Sequence, residues 1–241
     1  MRIIGGIFRG RVLAEFDRIG VRPTSDKARE ALFNIIQFKT SGALFLDLFS
    51  GTGAVGIEAL SRGARGVVFN DSSRESIKLI KSNLAKLKIA ECSTVSEVLK
   101  GGAKGNKQER AIGGARELAQ DCASGGAKSG ASGAIGGACV SQCDGVLFLK
   151  NCSADNLEGD LDKKDKALRF DIIYIDPPYS TDLIERLLPY LPGALAKDGI
   201  AIVEDEKPFD ESAVDLSAIN LSLTDRRKYG RAHLTFFKAM E

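Results

Sequence analysis

The chain has 241 residues, an apolar share of 44% and a formal net charge of +2. That length accommodates one large α/β domain, or one domain with a small appendage, and the apolar share suffices for a sizeable core. No run approaches the roughly 20 apolar residues of a membrane span, and Met1-Arg2-Ile3-Ile4-Gly5-Gly6 lacks an apolar targeting core, so a soluble, cytoplasmic protein is expected.

In chain order, a short hairpin is predicted first: Arg2-Ile3-Ile4, a Gly5-Gly6 turn, then Ile7 to Leu13. Arg22-Pro23-Thr24-Ser25-Asp26 closes an extended stretch and opens a helix, with Thr24 or Ser25 as N-cap and Asp26 at the positive end of the dipole. Ala28, Leu32, Ile35 and Ile36 give that helix its apolar face. From Ala43 the pattern alternates. Ala43–Phe49 predicts a buried strand, Gly53–Arg62 a helix, Val67–Phe69 a strand and Arg74–Leu87 a helix. After an interruption come a strand-like run at Val146–Leu149, a strand at Phe170–Ile175, a helix at Leu183–Leu191 and a strand at Ile200–Val203. Leu221–Tyr229 and Ala232–Lys238 close the chain as a hairpin. Strands alternating with helices imply a doubly wound α/β fold. The expected sheet is mostly parallel and seven-stranded, of Rossmann-like type, with an antiparallel edge hairpin. Residues 1–40 form an N-terminal hairpin and helix extension, and 41–241 the main domain.

The interruption at 101–145 holds 12 of the 26 glycines, padded with Ala and Ser, which argues for a mobile insertion with at most a short helix near Arg110–Cys122. Five cysteines (Cys92, Cys122, Cys139, Cys143 and Cys152) stand at irregular spacing without a CxxC pair. Reduced thiols without a metal site are expected. The small net charge hides two basic clusters. One spans residues 1–40, with Arg2, Arg9, Arg11, Arg18, Arg22, Lys27, Arg29 and Lys39 against four acids; the other is Arg226-Arg227-Lys228 with Arg231. Both suit a phosphate-rich partner, and both equally suit a solvated surface.

Three stretches carry chemistry. Leu46-Asp47-Leu48-Phe49-Ser50-Gly51-Thr52-Gly53-Ala54-Val55-Gly56 follows a strand and opens a helix, as a nucleotide-type cofactor loop does. The glycines alone fit a dinucleotide site, or simply a tight strand–helix turn. Asp47 favours a cationic ligand, the sulfonium and ammonium of S-adenosylmethionine, over a pyrophosphate. Asp71, just past the second strand, can accept hydrogen bonds from both ribose hydroxyls of an adenosine cofactor, or cap the following helix. Ile173-Tyr174-Ile175-Asp176-Pro177-Pro178-Tyr179 puts an acid, two prolines and an aromatic at a strand's carboxyl end. Asp176 and a proline carbonyl can hold both hydrogens of an exocyclic amine, freeing its lone pair for attack on a methyl group, while Tyr179 stacks an extruded base. A rigid β-turn is the plainer alternative.

With these blocks in view, the chain resembles the RsmD family of bacterial 16S rRNA guanine-N2 methyltransferases. The resemblance rests on Arg2–Gly6 with Arg9-Gly10-Arg11, on Arg22-Pro23-Thr24 with Asp26 and Arg29–Asn34, on Leu46–Arg62, and on Asp176–Tyr179. It implies a class I methyltransferase fold whose cofactor is held by Asp47, Phe49, Ser50, Gly51, Thr52, Gly53, Asp71 and Ser72. It also implies a target base held by Asp176, Pro177, Pro178 and Tyr179. Arg9, Arg11, Arg22, Thr24 and Arg29 are expected on the substrate side, with the N-terminal hairpin meeting RNA. The family carries a polar residue after the third strand near the adenine, and Asp155 is its expected counterpart, with Cys152 as close in register. The implied partner is 16S rRNA in the small ribosomal subunit or an assembly intermediate, engaged by a monomer, with no metal and no membrane. Two alternatives share these motifs: an N6-adenine DNA methyltransferase, and a silent RNA-binding assembly factor on the same scaffold. An NAD-linked oxidoreductase fits less well, because no side chain stands out as an acid or base for hydride chemistry.

Overall fold

The computed structural model describes residues 1–16, 26–94, 97–98, 136–153, 168–178 and 182–240. Its strands are β1 (Leu44–Asp47), β2 (Gly66–Asn70), β3 (Glu91–Cys92), β4 (Gly137–Ser141), β5 (Phe170–Ile175), β6 (Leu195–Asp205), β7 (Leu221–Tyr229) and β8 (Ala232–Ala239). They form one sheet in the order β3-β4-β2-β1-β5-β6-β8-β7. Pairs from β3 to β6 are parallel, while β8 runs antiparallel to β6 and to β7. Eight strands are thus seen among the described residues where seven were expected; the two-residue β3 at the edge is too short for sequence periodicity to register.

The helices are α1 (Asp26–Ile35), α2 (Gln37–Thr40), α3 (Ala54–Ser61), α4 (Arg74–Lys86), α5 (Gly145–Cys152), α6 (Leu183–Leu187) and α7 (Leu191–Ala194). Every residue of β1 and β2 is buried, which follows from helices on both faces. Alternation sorts the side chains. Phe45, Val67, Phe69, Ile172 and Ile202 pack toward α1, α3 and α4; Leu46, Val68, Ile173, Ile175 and Val203 pack toward α5 and α6. Helix α4 starts where Ser73 Oγ accepts from the backbone N–H of Glu75 and Ser76.

Two predicted assignments are corrected. Val146–Leu149 lies inside α5, not in a strand, because the Asp144 carboxylate caps that helix by accepting from Leu147 N at 3.0 Å. The strand is β4, Gly137–Ser141, inside the stretch taken as an insertion to residue 145. It pairs with β2 along its whole length, from Gly66↔Gly137 to Asn70↔Ser141, so 137–141 belongs to the sheet and not to an insertion. The suggested helix near Arg110–Cys122 and the Thr24 and Ser25 caps lie outside the described residues.

The N-terminal hairpin is reduced to one bridge, Arg2↔Val12, flanked by Ile3 N donating to Arg11 O at 2.9 Å and Gly10 N to Ile3 O at 2.8 Å. Its backbone bonds are spent elsewhere. Ile4 N and Gly5 N each donate to the Glu58 carboxylate at 2.8 Å, Ile7 N to Ser61 O at 2.8 Å and Phe8 N to Ser61 Oγ at 3.0 Å. Gly6 is required here: its φ is +75° and a Cβ would stand 1.7 Å from Ser61 O. Ile3, Phe8 and Leu13 then join the core above α3.

Candidate active site

The order of the sheet reverses between β1 and β5: from β1 the chain builds outward through β2 to β3 and β4, then returns to add β5 and β6 on the other side. In such sheets the carboxyl ends of the two central strands diverge into a crevice that receives ligands. A cavity of about 420 Å³ opens at that point. Its walls come from the β1–α3 loop (Asp47, Phe49–Thr52), the β2 end (Asp71, Ser72), the β4–α5 junction (Asp144, Gly145), the β5 end (Tyr174, Asp176–Pro178) and the N-terminal segment (Met1, Glu15, Phe16).

The loop's shape follows from its glycines. Gly51 has φ +52° and a Cβ on it would meet nothing within 4 Å, so the backbone here faces open space. Gly53, at φ +77°, opens α3. Ser50 Oγ lies 2.6 Å from Asp47 O and 3.2 Å from Asn70 O, holding the loop against β2. Phe49 rests on the backbone at Gly145, where a Cβ would come within 2.7 Å of its ring.

Asp71 is fixed from both oxygens: Oδ2 accepts from Gly51 N at 2.8 Å and Oδ1 from Ser73 N at 2.8 Å. Ser73 is the cap of α4, so Asp71 ties the loop at Gly51 to the start of that helix. Asp47 is 1% exposed, and its Oδ2 accepts from Gly56 N at 2.9 Å. Burial pushes its carboxyl up to about 7; the Gly56 bond opposes that shift and the neighbouring Asp71 charge adds to it. Glu15, Asp144 and Asp176 bring the acids lining the cavity to five; the Met1 ammonium pairs with Glu15, and no Lys or Arg side chain lines the cavity among the described residues, so the lining stays acidic. Such a chamber selects a cation and repels a pyrophosphate. These residues fit an adenosyl sulfonium cofactor: Asp47 offers a counter-ion, Gly51 an uncovered backbone, and Asp71 a carboxylate at the rim.

Most expected residues converge here. Asp47, Phe49, Ser50, Gly51, Thr52, Asp71, Ser72, Asp176, Pro177 and Pro178 all line the cavity. Gly53 does not; it shapes the turn. Arg9 and Arg11 are exposed on the N-terminal segment, away from the cavity lining. Arg29 departs most from expectation. It is 1% exposed, donates from Nη2 to Arg2 O at 2.6 Å and to Asp26 Oδ1 at 3.0 Å, and lies 3.9 Å from Glu58. It clamps the N-terminal segment to α1 and α3 and offers no face to a substrate. Arg22, Thr24, Tyr179 and Asp155 lie outside the described residues. Counting from Val146–Leu149 as a strand leads to Asp155; counted from β4, the acid that follows is Asp144, which lines the cavity. The Asp144-Gly145 pair before an apolar run is a helix-start signal that could have found it.

Tyr174 and Glu204 were not anticipated. Tyr174 lines the cavity and donates its hydroxyl to Glu204 Oε2 at 2.5 Å, both side chains being buried. Burial raises both groups, and the Asp176 and Glu204 charges raise Tyr174 further, so the phenol stays protonated as a fixed donor. A polar aromatic two residues before Asp176, between the aliphatic Ile173 and Ile175, was the available signal. Among the described residues the cysteines are free and no group of three or more His, Cys, Asp or Glu side chains could hold a metal ion. No helix among them is long and apolar enough to cross a membrane.

The family model described as Conserved hypothetical protein 95 matches residues 1–111 and 141–238. The Escherichia coli K12 ribosomal RNA small subunit methyltransferase D is 44% identical over 96 residues, covering 40% of this chain and 48% of that protein. YlbH of Bacillus subtilis, named there as a candidate rRNA methyltransferase, is 42% identical over 95 residues, covering 39% and 52%. The chain thus matches about half the length of these curated relatives. The solved structure of yhhF from Escherichia coli, described as a candidate methyltransferase, superposes with a TM-score of 0.65 at 27% identity, covering 100% of this chain and 98% of that one. With the family model matched on both sides of the 112–140 stretch, the chain belongs to the Conserved hypothetical protein 95 family, the RsmD family.

Proposed function

We propose that this protein transfers a methyl group from S-adenosylmethionine to the exocyclic N2 amine of a guanine in 16S rRNA of the small ribosomal subunit. The observation that carries the reading is a single cavity that joins a buried, cation-seeking Asp47 to the Asp176-Pro177-Pro178 turn. The rRNA methyltransferase names of the relatives supply the substrate class.

Bound between Asp47 and Asp71, S-adenosylmethionine would supply a methyl carbon made electrophilic by the adjoining sulfonium. Asp47 balances that charge, Asp71 receives ribose hydroxyls, and Asp144 is suited to accept from the adenine amine. The guanine amine is a weak nucleophile because its lone pair is delocalised into the ring. The Asp176 carboxylate and the Pro177 carbonyl take its two hydrogens and draw nitrogen toward tetrahedral geometry. The amine so held would be poised to accept the methyl group, and Asp176 would take the proton that nitrogen gives up. Tyr179 supplies a stacking face for the extruded base.

Replacing Asp176 by Ala should lower methyl transfer to small-subunit rRNA by about 100- to 1000-fold, the range for losing one preorganised group at a reacting centre. Calorimetric affinity for S-adenosylmethionine should stay nearly unchanged. An Asp176→Ala variant with full turnover refutes the assignment, and label appearing instead in duplex DNA favours an adenine-N6 methyltransferase.

A further inference from the structure

The acidic cavity admits a base but repels phosphates, so the backbone on either side of an extruded nucleotide must be held elsewhere. A second, smaller cavity of about 140 Å³ is placed to do so. It is lined by Pro208, Arg226, Arg227, Lys228, His233, Leu234 and Thr235, with no carboxylate among them.

Strand registers place this groove relative to the first site. Ile175 pairs with Val203, Val203 with Thr235, and Thr235 with Arg226. Arg226 therefore stands three strands across from the residue preceding Asp176, about 14 Å at the usual strand spacing. Lys228, paired with His233, lies two residues further toward the carboxyl edge, where Gly230 turns the β7–β8 hairpin with φ +62°. Thr235 and Phe237 alternate to the same side, and Phe237 packs in the same core as Ile184 and Leu187 of α6, the helix that follows the Asp176–Pro178 turn.

The charges in the groove are available. Arg226 pairs with Glu211, and Arg227 with Asp225 at 2.9 Å; these four side chains are 38–58% exposed. Pairs so exposed are screened by water and yield to a competing anion. Lys228 and Arg231 are exposed and make no ion pair with a described residue. Guanidinium forks match phosphate oxygens two at a time.

We infer that this groove holds the phosphate backbone of the RNA strand whose base enters the acidic cavity, a few nucleotides from the target. The inference rests on the methyl-transfer reading above, and the test separates the two.

The experiment compares full-length wild type with an Arg226→Gln/Lys228→Gln double variant, measuring affinity for 16S rRNA across a salt series alongside calorimetric affinity for S-adenosylmethionine. Each lost contact to single-stranded backbone should reduce the slope of log affinity against log salt by about 0.7, so the double variant should lose about 1.4 in slope. S-adenosylmethionine affinity should not change, which also reports an intact fold. A Lys78→Gln/Lys86→Gln control, exposed on α4, should keep the wild-type slope. A groove variant with the wild-type slope, or a control that loses as much slope, overturns the groove while leaving methyl transfer standing. A slope loss at the groove in a protein that methylates no RNA supports the groove and overturns the methyl-transfer reading.

Discussion

Asp47 is the residue on which the proposed choice of cofactor turns. A carboxyl sealed from water beside a second carboxylate gains nothing from ionising until a cation arrives. Its folded-state value of about 7 lies above the ordinary 3.8. Between those values the unfolded chain has released a proton that the native chain keeps, so ligand-free stability falls as pH rises through that window and then levels. A bound sulfonium reverses the preference and draws the proton off, so cofactor affinity rises with pH. Affinity for S-adenosylmethionine should fall about tenfold from about pH 8 to about pH 6, with proton release measurable by calorimetry in buffers of different ionisation heat. Asp47→Asn should bind weakly and without that pH dependence; a wild-type affinity flat across the same range contradicts the counter-ion role. Asp47, Asp71 and Asp176 could all be picked out in the sequence because each is an isolated acid at the end of an apolar run. Arg29 was misjudged for the same reason in reverse: a charge in a basic stretch reads as surface, and only packing reveals that Glu58 and Arg2 O enclose it.

Elements explain how the cavity keeps its shape. Asn83 of α4 is fully buried. Its Oδ1 accepts from Ala14 N at 2.8 Å, and its Nδ2 donates to Ala14 O at 3.1 Å and to Thr52 O at 3.2 Å. One amide thus ties the segment bearing Glu15 and Phe16 to the cofactor loop. Asn83→Leu should cost about 1–3 kcal/mol in denaturant unfolding, the range for leaving buried polar groups without partners. It should also weaken S-adenosylmethionine binding as the wall at Glu15 and Phe16 loosens; unaltered affinity in that variant means the N-terminal wall does not shape the site. At this scale the sequence was legible where apolar runs had the helical or strand period, as along α4 and at Gly230 between β7 and β8, although the cap of α4 is Ser73 and not Asp71. It was opaque at β4. Gly137-Ala138-Cys139-Val140-Ser141 has a short, weakly apolar centre at the end of a Gly- and Ala-rich stretch, while Val146–Leu149 has the length and composition of a strand. Pairing with β2 decides the first and the Asp144 cap the second.

Over the whole molecule, charge is divided by task at one edge of the sheet. The crevice beside the switch point is lined by five acids, and the hairpin tip three strands away carries the basic groove. Neither is evident from a net charge of +2. On the proposed reading a cation would enter the crevice, a neutral base would follow it, and the polyanionic strand would be kept to the basic side. The fold class was readable from alternation alone, whereas this division required the strand order, which brings Asp47 and Asp176 together from positions far apart in the chain. The most direct measurement supplies the purified protein with methyl-labelled S-adenosylmethionine and unmodified small subunits, then maps the label by mass spectrometry of rRNA digests. Label is expected on guanine N2 at a single position in 16S rRNA. Label confined to adenine, or rRNA left unlabelled by a protein that binds the cofactor, contradicts guanine-N2 transfer.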